Sequence, residues 1–102
     1  MSMRELVAAG APELPPGYFY RVRSESSFGL LKVELRRQGR WFSTAVENTY
    51  VRPADYATVE RAVVDACSRV VEWWGGRQAD ARAMEESQKF IGDHDPRGGR
   101  HG

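Results

Sequence analysis

The chain has 102 residues, 41% of them hydrophobic, with 15 basic against 14 acidic side chains for a formal net charge of +1. That is room for one domain of ordinary globular composition and not for two, and the near balance of charge removes any global attraction to nucleic acid or to an anionic membrane. Cys67 is the single cysteine, which excludes an intrachain disulfide and a cysteine-based zinc cluster.

No uncharged run approaches the roughly 18 apolar residues of a membrane-spanning helix, and residues 1–5 lack the apolar stretch of a signal peptide. A cytoplasmic protein with no membrane partner is expected. Among the basic residues only Lys32 and Lys89 are lysines, a bias that points to a GC-rich coding genome.

At the N-terminus, Ser2 and Glu5 have the spacing of a capping box. A two-turn helix is expected from there to Gly10, too short to persist unaided. Pro12, Pro15 and Pro16 then hold the chain extended, so residues 1–16 read as an N-terminal segment. Over residues 18–24 the chain alternates, with Tyr18, Tyr20 and Val22 on one side and Phe19, Arg21 and Arg23 on the other, the period of a half-buried strand. Ser24 to Ser27 make a polar turn.

Alternation returns over residues 28–37, where Leu31, Val33 and Leu35 oppose Lys32, Glu34 and Arg36, and it stops at the turn around Gly39. A third strand is expected over residues 41–50, with Phe42, Thr44, Val46 and Tyr50 inward by matching the alternation to a common core and with Glu47 and Asn48 bending its second half. Pro53 occupies a favoured first helical position, and Tyr56, Val59, Ala62, Val63, Ala66, Val70 and Trp73 or Trp74 recur at helical spacing up to Gly75 and Gly76.

These elements predict an α+β fold: a three-stranded antiparallel sheet packed against one long amphipathic helix, within a core domain at residues 17–76. Tyr20, Val22, Leu31, Val33, Leu35, Phe42, Val46, Val59, Val63 and Val70 are its expected core. Residues 77–91 are good helix formers with few apolar side chains, which predicts a second, peripheral helix. Residues 92–102 have nothing to bury and are expected to be disordered.

The sequence contains no nucleophile elbow, no phosphate-binding glycine loop before a helix, no paired-histidine zinc spacing and no calcium loop. Its histidines, His94 and His101, fall in the expected tail, where groups cannot be held in catalytic geometry. Asp93, His94 and Asp95 are adjacent and do not converge on a metal. A binding module and not an enzyme is therefore expected, with no cofactor, no metal and no small-molecule substrate. Cys67, inside the long helix, reads as a buried structural thiol.

Two surfaces stand out. Trp73 and Trp74 are about 100° apart on a helix and cannot both enter one core, so with Trp41 outside they form a candidate protein interface, for a protein partner or a second copy. The outer sheet face would carry Arg21, Arg23, Lys32 and Arg36, with Arg37, Arg40 and Trp41 at the turn, a candidate nucleic-acid surface because guanidinium groups pair with phosphates and aromatics stack on bases. Glu34 and Glu47 would share that face.

With Pro16 through Tyr20 and the hairpin that follows, the order of a short helix, three strands and a long helix is similar to the double-stranded-RNA-binding domain. Residues 51–56 (Val-Arg-Pro-Ala-Asp-Tyr) stand where that family has its phosphate-gripping lysines. Three strands and a helix also resemble the arm-binding domain of tyrosine recombinases and the plant AP2 domain, which lay a sheet into the DNA major groove. Short length, arginine bias, a loose tail and no catalytic apparatus resemble the small accessory proteins of actinobacteria and their bacteriophages. That resemblance implies a protein-binding role, and the sheet families imply a DNA-binding accessory protein as the alternative.

Overall fold

A computed structural model describes residues 2–25 and 29–92 of the chain. The elements are α1 (Met3–Ala8), β1 (Tyr18–Glu25), β2 (Leu30–Gln38), β3 (Ser43–Val51) and α2 (Val59–Ser87), with 3₁₀ turns at Pro53–Asp55 and Gln88–Phe90. The strands form one antiparallel sheet in the order β1-β2-β3, so the fold is α+β, as the alternation predicts. Of the turn expected at Ser24 to Ser27, Ser24 and Glu25 instead continue β1, because both pair with β2, while Ser26 and Ser27 and all of the expected tail but Gly92 lie outside the described residues.

Helix α1 starts where Ser2 caps it, the Glu5 amide donating to Ser2 Oγ at 3.2 Å, and Gly10 follows it in the left-handed region at φ +119°, a conformation that favours glycine. Six residues do not hold a helix in water; α1 is held because Leu6 is buried. The proline-rich segment behind it is pinned by Tyr20, whose hydroxyl donates to the Pro12 carbonyl at 2.7 Å and whose amide donates to the Met3 sulfur at 3.4 Å.

In the sheet, Tyr20 pairs with Leu35, Val22 with Val33 and Ser24 with Leu31, which puts Tyr18, Tyr20, Val22, Leu31, Val33 and Leu35 on the side that meets α2. Val33, Leu35, Ala62, Ala66, Cys67 and Val70 have no exposed surface. Burying each of the larger ones contributes on the order of 1.5–3 kcal/mol, and the alanines let helix and sheet approach closely.

Strand β3 departs from the expected inward set. Leu35 pairs with Glu47, but the next residue of β2, Arg36, pairs with Ala45, so the register shifts there and Val46 is the extra residue. A bulge of this kind changes the face on which the following residues emerge. Beyond it Thr49 and Val51 are the buried pair, and Tyr50 is on the outer face, half exposed. Phe42 and Thr44 precede the bulge but overhang the core and are exposed, while Val46 is half-buried against it. Glu47 is carried to the helix side, off the outer face on which simple alternation places it.

Helix α2 also differs from expectation at both ends. Pro53 opens the short 3₁₀ turn, and α2 begins after Thr58, whose Oγ1 accepts the Arg61 amide at 3.1 Å. Val59, in the first helical turn, is consequently exposed, as is Val22 opposite it, so neither joins the core. The pair Gly75 and Gly76 does not end the helix. Neither adopts a positive φ, and a glycine in right-handed conformation costs only about 1 kcal/mol against alanine, which the helix formers on both sides absorb. The expected peripheral helix is thus the second half of α2.

At about 1.5 Å per residue the 29 residues of α2 span roughly 43 Å, whereas nine-residue strands reach about 30 Å. The helix therefore runs off the end of the sheet. Every residue from Gly75 to Gly92 is exposed.

Candidate protein-binding surface

Two features meet at the end of the sheet from which α2 projects. The first is the β2–β3 hairpin tip, residues 39–42. Its backbone is closed by the Gly39 amide donating to the Phe42 carbonyl at 2.8 Å. A Cβ at Gly39 would sit 2.7 Å from that oxygen, so glycine is required by close approach. It presents Trp41 and Phe42 outward, 77% and 81% exposed, with the Arg40 guanidinium 5.6 Å from the Trp41 ring centre. Residues 36–44 hold Arg36, Arg37 and Arg40 and no acidic side chain.

The second feature is the tryptophan pair on α2. Trp74 is partly buried, its ring centre 4.9 Å from that of Tyr18 at the start of β1. Trp73, rotated away by the helical step, is 46% exposed. It lines a shallow groove of about 550 Å³ with Glu47, Glu72, Gly76, Arg77 and Asp80. Within it Arg77 Nη2 is 2.9 Å from Glu47 Oε2, an ion pair that exists because the bulge turned Glu47 toward the helix. Of the candidate interface residues, then, Trp41 and Trp73 are accessible and Trp74 is largely structural.

The outer sheet face carries Arg21, Arg23, Lys32 and Arg36 on adjacent strands, with Arg21 opposite Glu34 and Arg23 opposite Lys32. At its centre Glu34 is only 6% exposed, covered by its neighbours, with Arg36 Nη1 at 3.1 Å and Lys32 Nζ at 3.9 Å. Arg36 Nε also donates to Ser43 Oγ at 2.9 Å. Two of the four cations are thereby committed to internal contacts. Of the other two, Arg21 lies over Phe19 and Arg23 forms no ion pair among the described residues; Lys32, besides facing Glu34, lies over Tyr50. Arg37 and Arg40 belong to the tip and not to this face.

Neither a protein-family model, a curated protein nor a solved structure matches this chain. Its surface must be read from its own chemistry. Among the described residues no cluster of three or more histidine, cysteine or acidic side chains could hold a metal, and no helix is long and apolar enough to cross a membrane. Burial raises the Cys67 thiol to about 12, which suppresses the reactive thiolate. Tyr56 donates to the Asp65 carboxylate, and that hydrogen bond raises its hydroxyl.

Residue alternation missed two things. Val22 and Val59, expected in the core, instead line an apolar groove of about 440 Å³ with Leu6, Tyr20, Leu31, Glu60 and Val63. Phe42, also expected inside, joins Trp41 outside. The signal for Phe42 was present in the sequence, since Gly39 begins a turn and side chains next to a turn have no sheet neighbours to cover them.

Proposed function

We infer that this chain is a non-enzymatic cytoplasmic binding module that acts by protein association, with another protein or with a second copy of itself. The observation that carries the reading is the end of the domain where an unsupported helix half, residues 75–87, leaves the sheet beside Trp41, Phe42 and Trp73, all exposed. A helix of that length without packing is marginal in water, and exposed tryptophan beside arginine is the composition of interface hot spots. A protein surface laid against this end would supply the missing packing. The role also suits an accessory protein of the actinobacterial or phage type that the sequence resembles.

The competing reading is DNA binding by the outer sheet face. What favours it is the set of cations beside Phe19 and Tyr50; what weighs against it is Glu34, which draws Lys32 and Arg36 inward. The two readings separate by mutation. Capture of proteins from extracts of the cells that make the chain should be lost with Trp41→Ala/Phe42→Ala and retained with Arg21→Ala/Arg23→Ala. Retention of the same proteins by the aromatic variant would refute association through the tip. Steep salt-dependent retention of a DNA duplex, lost with the arginine variant, would select the competing reading.

A further inference from the structure

The hairpin tip and the groove at the same end of the sheet are complementary in charge, and one molecule carries both. Within the tip segment Arg36 is held by Glu34, but Arg37 and Arg40 face no acidic side chain in residues 37–44, and the two aromatics point into solvent. The groove is lined by Glu47, Glu72 and Asp80 against the single cation Arg77, and Arg77 is held by Glu47. Glu72 and Asp80 take part in no ion pair among the described residues. Trp73 supplies the groove with an apolar wall, and at Gly76 no atom lies within 4 Å of where a Cβ would be, so its floor is open.

No tip residue lines the groove of its own molecule, and β3 separates the two. Glu47 is four residues along β3 from Ser43, about 13 Å at 3.3 Å per residue. Two sites that close together on one end of a molecule can be exchanged simultaneously about a two-fold axis, which gives a closed dimer and not an open chain of contacts.

We propose that the protein forms a two-fold symmetric homodimer in which the Arg40, Trp41 and Phe42 tip of each molecule enters the Glu72, Trp73 and Asp80 groove of the other. This deepens the association reading above and rests on it. Trp41 and Phe42, 77% and 81% exposed and roughly 150–250 Å² each in full, would remove about 230–400 Å² of tip surface per molecule from water; with the groove they cover this stays below the roughly 800 Å² of a standard stable interface, which fits a dimer that dissociates on dilution. The arginines would meet the unpaired carboxylates at the rim, and the projecting halves of α2 would flank the inserted tips.

Sedimentation of the full chain across a wide concentration range tests this, using charge reversals at exposed positions that leave the core untouched. Arg37→Glu/Arg40→Glu makes the tip acidic; Glu72→Arg/Asp80→Arg makes the groove basic. The wild-type chain should sediment as a dimer that dissociates on dilution, and each reversed chain should associate at least about tenfold more weakly because like charges now meet. An equal mixture of the two reversed chains should recover the dimer, since each tip then finds a groove of opposite sign. A wild-type chain that stays monomeric, a reversed chain that dimerises like wild type, or a mixture that stays monomeric would each overturn the proposal. If the wild type is monomeric but Trp41→Ala/Phe42→Ala still abolishes capture of another protein, the second copy is the wrong occupant and association through the tip stands. Loss of both sinks both.

Discussion

Replacing Gly75 and Gly76 together with alanine should tighten the projecting half of α2 while leaving the domain almost unchanged. Both glycines are helical and exposed, and an added Cβ at either meets nothing within 4 Å, so no steric cost offsets the gain in helix propensity. Each substitution is worth about 1 kcal/mol in a helix interior, or about 2 kcal/mol together. If residues 75–87 open independently of the sheet, their amides should exchange with solvent roughly 30-fold more slowly in the variant, a tenfold factor corresponding to about 1.4 kcal/mol. Amide hydrogen exchange at concentrations where the chain is monomeric reads this directly. Little change is expected for the amides of β2 or for the global unfolding midpoint, because among the described residues no apolar side chain beyond Trp74 packs against the core. Unchanged protection over residues 77–87 would refute the account of the glycines as a weak link. A global midpoint rising by the full amount would refute the independence of the helix half.

Leu35→Ala, at a position with no exposed surface on the central strand, should cost about 2–5 kcal/mol, seen as a lower urea midpoint. Removing the α2 cap with Thr58→Ala should cost about 0.5–2 kcal/mol by the same measurement, since the Arg61 amide loses its acceptor. For pH, burial raises the Cys67 thiol from 9.0 to about 12, and the Tyr20 hydroxyl is raised as well. The folded state keeps protons that the unfolded chain releases, so stability is complete below about pH 9. It should then fall between about pH 9 and 12 by up to about 1.4 kcal/mol per pH unit for the thiol. Urea midpoints measured from pH 8 to 11 check this, and Cys67→Ala should lessen the fall, leaving the part due to Tyr20; a midpoint independent of pH would contradict it.

Much of the fold was legible in the residue order because it rests on local periodicity. The alternation through Tyr20, Leu31, Val33 and Leu35 places those side chains on one face whatever the strands pair with, and the spacing of Ala62, Val63, Ala66 and Val70 does the same for α2. Capping by Ser2 and the stop at Gly10 are likewise properties of a few neighbouring residues. Where periodicity was misleading, a longer-range contact had overruled it. Tyr50 changed face because β3 gains a residue against β2 at Val46, and a bulge is a property of two strands together that neither sequence announces alone. Gly75 and Gly76 read as a terminator by composition, yet termination needs a positive φ or competing contacts, and neither is present.

The candidate surface divides in the same way. Alternation puts Arg21, Arg23, Lys32 and Arg36 on one sheet face, and helical geometry alone separates Trp73 from Trp74. Which tryptophan stays accessible was decided by Tyr18, a residue 56 positions away that happens to begin β1 beneath Trp74. Alternation within β2 also sets Glu34 between Lys32 and Arg36, whereas Glu47 left that face to hold Arg77 only once strand register was set. Sequence by itself determined the inward faces of β2 and of the middle of α2, and the three strands and long helix that carry them, because those follow from backbone geometry within a few residues. Tertiary structure decided which charges are spent internally and which aromatics remain for a partner, because pairing and exposure depend on neighbours that the fold alone brings together.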